Sequence, residues 1–135
     1  MMTRLLLVLV GLLFMAPPLT AADCPVERNG DAISAALEKA PTCAAAQKLF
    51  EDCAYVASID SMFGGIVTEK CEKDFLTKLS ATQRKSYNGQ KVACSRKYAK
   101  QEGTMYRSFE AMCISTLAVR NSKRLAASPK GSAGN

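Results

Sequence analysis

Residues 42–58, TCAAAQKLFEDCAYVAS, decide the fold class. Cys43, Ala46, Phe50, Cys53 and Ala57 recur at three- and four-residue steps, with Leu49 and Val56 flanking them. This is the apolar stripe of a helix of period 3.6. Thr42 can take a free backbone N–H at its start, so the spacing predicts a helix from Thr42 to about Ser58. Toward the N-terminus, Asp31 is placed to cap a short helix through AISAALEKA that Pro41 ends. Toward the C-terminus, Gly64-Gly65 breaks the pattern and predicts a loop. Val67, Cys71, Phe75 and Leu79 then repeat every fourth residue and predict a third helix.

Ser80-Ala81-Thr82-Gln83 has the form of a capping box, which starts a fourth helix at Ala81. Asn88-Gly89 either breaks that helix or lies inside it at a cost of about 1 kcal/mol. The helix continues through Val92, Cys94, Tyr98 and Gln101 to Gly103, a left-handed terminator. Thr104 is placed to cap a last helix, whose Met105, Phe109, Met112, Cys113, Thr116 and Leu117 form the clearest amphipathic face in the chain. No segment shows the strict alternation of a strand. The expected architecture is all-α, a disulfide-stapled bundle of four or five helices over residues 23–125, with a flexible tail over 126–135.

Residues 1–22 read as an export signal: Arg4 gives a positive start, Leu5 to Ala16 an apolar run, Pro17 and Pro18 a break, and Ala21 and Ala22 a cleavage site. The apolar run is shorter than the roughly 20 residues that span a bilayer, so no transmembrane span is expected. Cleavage leaves about 113 residues, enough for one domain. The expected location is periplasmic or secreted.

Six cysteines, Cys24, Cys43, Cys53, Cys71, Cys94 and Cys113, fit that oxidising destination and allow fifteen pairings. Cys43 and Cys53 lie in one predicted helix about 15 Å apart, too far to bond each other. Residues equidistant from a turn lie side by side in a helical hairpin. Cys94 and Cys113 are centred between Gly103 and Thr104, and Cys53 and Cys71 on residue 62, beside the expected Gly64-Gly65 loop. Sequential pairing is therefore expected: 24–43, 53–71 and 94–113. Each bridge would contribute about 3 kcal/mol in the chain-entropy model.

The chain has no His, so a nucleophile activated by His cannot be built, and the even cysteine count leaves no free thiol. Zinc sites want cysteines two to four residues apart, a spacing not found here. Glu51-Asp52 and Glu72 with Asp74 read as a solvated face. No catalysis, metal or cofactor is expected.

Charge is unevenly divided. Residues 23–74 hold ten acidic and five basic side chains, and residues 75–135 two acidic and twelve basic. Either the halves neutralise each other on packing, or a basic face remains for an anionic partner such as lipid headgroups or cell-wall polymer. Export argues against nucleic acid. Arg96 and Lys97 belong to the basic stretch, Glu51 and Asp52 to the acidic one. Tyr106 and Arg107 lie at a predicted hairpin apex, an aromatic and Arg pairing of the kind that anchors interfaces. The same stretch also reads as structural, with Met105 and Phe109 in the core. These six residues are the candidate partner contacts.

Three segments resemble the LprI-type lysozyme-inhibitor family of small exported bacterial helical domains. They are Cys43-AAAQKLFED-Cys53, with a Gln between the cysteines; LSATQRKSYNGQKVAC; and EGTMYRSFEAMCISTLAVRNSKRL, carrying Gly103, Thr104, Cys113, Thr116, Arg120 and Leu125. The likeness spans roughly residues 43 to 125. It implies a non-enzymatic envelope protein whose partner is lysozyme. An anionic-surface binder and a structural protein without a discrete ligand are the alternatives.

Overall fold

A computed structural model describes residues 23–128; the expected export signal and the chain from residue 129 lie outside the described residues. Five helices follow one another: α1 (Gly30–Lys39), α2 (Cys43–Cys53), α3 (Asp60–Phe75), α4 (Ala81–Tyr98) and α5 (Met105–Ala127), with a 3-10 turn at Leu76–Lys78. Among the described residues there is no strand. The fold is an all-α bundle with three disulfides linking its parts.

The helix starts are set by side chains. Thr42 Oγ1 accepts the Ala45 N–H, and Ser80 and Gln83 exchange both bonds of the capping box. At α1 the cap is Asn29, whose Oδ1 accepts the Ala32 N–H. The expected cap, Asp31, sits instead in the first turn, where a carboxylate favours the positive end of the helix dipole. Thr104 precedes α5 but makes no side-chain cap bond. Gly103 does take the left-handed conformation, at φ +108°.

Several boundaries differ from expectation. Helix α2 ends at Cys53, five residues before Ser58, because the chain turns through 54–59. Gly64-Gly65 lies inside α3 rather than in a loop, and Asn88-Gly89 lies inside α4. Helix α5 continues through Ala126 and Ala127, two residues into the expected tail.

The disulfides are Cys24–Cys53, Cys43–Cys71 and Cys94–Cys113. The last pair is the expected one; 24–43 and 53–71 are corrected. With the turn at 54–59, residues 43 and 71 are equidistant from Ala57 and face each other across the α2–α3 hairpin. Cys53 is then left for Cys24, which ties the N-terminal segment to the end of α2.

The core holds Ile33, Leu37, Phe50, Phe63, Val67 and Phe75, all fully buried. Burial of each contributes about 1.5–3 kcal/mol. Helices α3 and α5 share the most extensive contact in the molecule, and they run parallel. Ser108 Oγ donates to Asp60 Oδ2 and Ser122 Oγ to Asp74 Oδ2, each at 2.6 Å. Fourteen residues separate the two bonds on either helix, about 21 Å of rise.

On α5 the contact is a stripe of small residues, Ser108, Ala111, Ser115, Ala118 and Ser122, all buried. Their steps of three and four are those of a coiled-coil seam. Small side chains let the backbones approach: a Cβ at Gly64 would stand 2.8 Å from that of Ala111. This corrects the expected α5 face, since Met105 and Phe109 are not in the core but 42% and 39% exposed.

Candidate functional site

Helix α4 is the basic element. Its 18 residues include Arg84, Lys85, Lys91, Arg96 and Lys97 and no acid. Only Tyr87 and Cys94 are buried, so the helix touches the bundle along a narrow line and turns most of its surface to solvent. Three attachments hold that line. The Tyr87 ring stands edge-on to Phe75 at 5.1 Å, and its hydroxyl donates to Glu72 Oε1 at 2.9 Å. Lys91 Nζ reaches the same oxygen at 2.7 Å. The third is Cys94–Cys113, from α4 to α5. Burial, together with the bond to the Glu72 carboxylate and its charge, pushes the Tyr87 phenol well above its ordinary range.

Lys91 is the one α4 cation in an ion pair among the described residues. Arg84 donates to the Leu76 carbonyl. Lys85, Val92 and Arg96 are spaced seven and four residues apart and all are exposed, which places them on one outward stripe. Lys97 Nζ stands 5.2 Å from the Tyr98 ring centroid.

At the end of α4 the rings of Tyr98, Tyr106 and Phe109 form a three-way cluster, with centroids 6.0–6.4 Å apart. The structure therefore brings together four of the six expected contact residues, Arg96, Lys97, Tyr106 and Arg107, where the last turn of α4 meets the first of α5. Arg107 is paired with Glu110 at 3.2 Å and stays half-exposed. Glu51 and Asp52 belong to the last turn of α2 and are engaged there. Glu51 accepts from the buried Gln47, and Asp52 pairs with Lys48 at 2.8 Å. Gln47 also lies within bonding reach of Thr116 Oγ1, so it joins α2 to α5.

Beside this cluster lies a feature that the sequence did not suggest. The Asp60 carboxylate, fully buried, accepts the N–H groups of Tyr55, Val56 and Ala57 as well as the Ser108 hydroxyl. This holds Val56 at φ +57°, a left-handed conformation that a β-branched residue adopts only when its surroundings impose it. Val56, 50% exposed, is thus presented to solvent by a rigid turn. In the sequence nothing marks Asp60 for this role, because its donors come from the turn at 55–57 and from α5.

A cleft of about 450 Å³ opens between α3, α4 and α5, bordered by Glu69, Glu72, Lys91, Arg107 and Glu110. Its charges largely pair with one another. Among the described residues no three His, Cys, Asp or Glu side chains stand together as a metal site. No helix among them is long and apolar enough to cross a membrane.

Comparisons with family models, curated proteins and solved structures returned no match.

Proposed function

We propose that this chain is a non-enzymatic binding protein of the periplasm or secreted space that engages an anionic component of the envelope through α4. One observation carries this reading: an 18-residue helix with five cations, no acid and two buried side chains. A helix needs an apolar face to pack, and this one has hardly any. It is held by a capping box, Tyr87, the Lys91–Glu72 pair, one disulfide and the Tyr98 ring contacts with α5, and the remaining surface is a positive field facing outward. Three disulfides support an oxidising location.

The likeness to lysozyme inhibitors favours a different partner, a basic protein that would meet acidic side chains. Glu51 and Asp52 are engaged within α2, whereas the α4 cations are largely unpaired, so the geometry favours the anionic partner.

The test is binding of the oxidised mature protein to vesicles containing phosphatidylglycerol and to inorganic polyphosphate as salt is raised. Binding is expected to fall steeply between about 50 and about 300 mM salt, and replacing Lys85, Arg96, Lys97 and Lys100 by Gln is expected to abolish most of it. Equimolar inhibition of lysozyme, lost on Glu51→Gln and Asp52→Asn, would overturn the assignment.

A further inference from the structure

The three disulfides stand in unequal surroundings. Cys43, Cys53 and Cys71 belong to the hydrophobic core and Cys24 packs against it, whereas Cys94 and Cys113 lie outside that cluster. Their bond instead lines a groove of about 320 Å³ between α4 and α5, together with Ala93, Leu117, Lys97 and Arg120. No acid borders this groove. The one acid on either helix, Glu110, lines the other cleft and is paired with Arg107. Among the described residues neither Lys97 nor Arg120 is in an ion pair. A sulfur–sulfur bond reached from solvent through a positive groove is open to an incoming thiolate, and the local field favours one that carries further negative charge.

We propose that Cys113 is a site of reversible S-thiolation by a small anionic thiol. Cys113 is half-buried and Cys94 is 7% exposed, so Cys113 offers the sulfur more open to attack. The thiolate attacks Cys113 Sγ, the bond to Cys94 breaks as the new sulfur–sulfur bond forms, and the electron pair leaves on Cys94 Sγ as a thiolate. Lys97, one turn further along α4, favours that charge. A second thiolate attacking the small-molecule sulfur of the mixed disulfide releases Cys113 as a thiolate. The thiol is then oxidised to its own disulfide, and the protein pair is reduced. Either step unties α4 from α5 and leaves Tyr87, the Lys91–Glu72 pair and the Tyr98 ring contacts to hold the helix. Cys24–Cys53 and Cys43–Cys71 keep the rest of the fold closed.

The test treats the oxidised mature protein with mercaptoethanesulfonate or cysteamine at equal thiolate concentration, traps free thiols with N-ethylmaleimide and maps the products by mass spectrometry. Mercaptoethanesulfonate is expected on Cys113 and maleimide on Cys94, with Cys24–Cys53 and Cys43–Cys71 intact. The anionic thiol is expected to react about tenfold faster than the cationic one at low salt, a preference that raised salt removes. The double variant Lys97→Gln, Arg120→Gln is expected to lose most of that preference. Both side chains are exposed, and an unchanged melting curve verifies folding. Opening of Cys24–Cys53 or Cys43–Cys71 at the same rate or earlier would overturn the proposal. So would an adduct on Cys94, opening of Cys94–Cys113 only at the rate of global unfolding, or an anionic preference undiminished in the double variant. None of these readouts uses an anionic surface, so they stand or fall apart from the α4 reading.

Discussion

A buried carboxylate with four donors is the most constrained residue in the molecule. Asp60 replaces water for three backbone N–H groups and a hydroxyl, and removing it strands donors in a dry site. Asp60→Ala is expected to destabilise the fold by about 3–5 kcal/mol in denaturant titration. Val56→Gly should relieve strain: it is expected to be neutral or stabilising by up to about 1 kcal/mol, although Gly usually destabilises. Tyr87 gives a pH signature. Its phenol is held neutral in the fold, so its contribution is fully present below its unfolded value of 10.0 and is lost as pH rises above it. Thermal melts across roughly pH 8–11 should show stability falling above about pH 10, with a shallower fall in Tyr87→Phe. Little of this was legible in the sequence. Asp60 reads there as one more acid in an acidic half, because the donors that surround it come from a turn and from a helix 48 residues away.

At the scale of elements, sequence signals hold where a local rule acts and fail where packing overrides it. The Ser80–Gln83 capping box and the helical period of α2 are local. So is the turn at Gly103, and the Cys94–Cys113 pair centred on it formed as expected. The hairpin rule also holds for Cys43 and Cys71 once the turn is placed at 54–59. It misled because Gly64-Gly65 is a stronger turn signal in sequence than Ala54-Tyr-Val-Ala-Ser-Ile59, which folds back only through Asp60. The α5 seam was missed because Ser and Ala produce almost no hydrophobic amplitude beside Met105, Phe109 and Met112. Adjacent glycines test this packing. Gly64→Ala puts a methyl against Ala111 and is expected to cost about 1–3 kcal/mol. Gly65→Ala meets nothing within 4 Å and should stabilise the helix by up to about 1 kcal/mol. The attachment of α4 is tested by the Cys94→Ser, Cys113→Ser variant. Its α4 amides are expected to exchange faster than those of α3, because Tyr87, the Lys91–Glu72 pair and the contacts of Tyr98 with Tyr106 and Phe109 would be left to hold the helix.

Over the whole molecule, folding cancels the charge division seen in sequence only in part, as where Lys91 meets Glu72. The acidic residues of the first half are partly engaged, by Lys48, Lys91 and buried donors, while α4 carries its cations outward. The fold class was legible because helical periodicity and cysteine count are properties of the chain. The exposed side chains were legible only in part. Tyr106, Arg107, Arg96 and Lys97 stand out in the sequence, whereas Val56 reads there as part of a helix stripe and Ile59 and Met62 carry no signal of their own. Their exposure depends on where α2 stops. The α4 reading is tested most directly by amide hydrogen exchange of the oxidised mature protein with and without phosphatidylglycerol vesicles. Protection is expected to concentrate in residues 81–100 and to be reversed by high salt. Protection confined to α2 around Glu51 and Asp52, or none under conditions where vesicles carry the protein down, would contradict it.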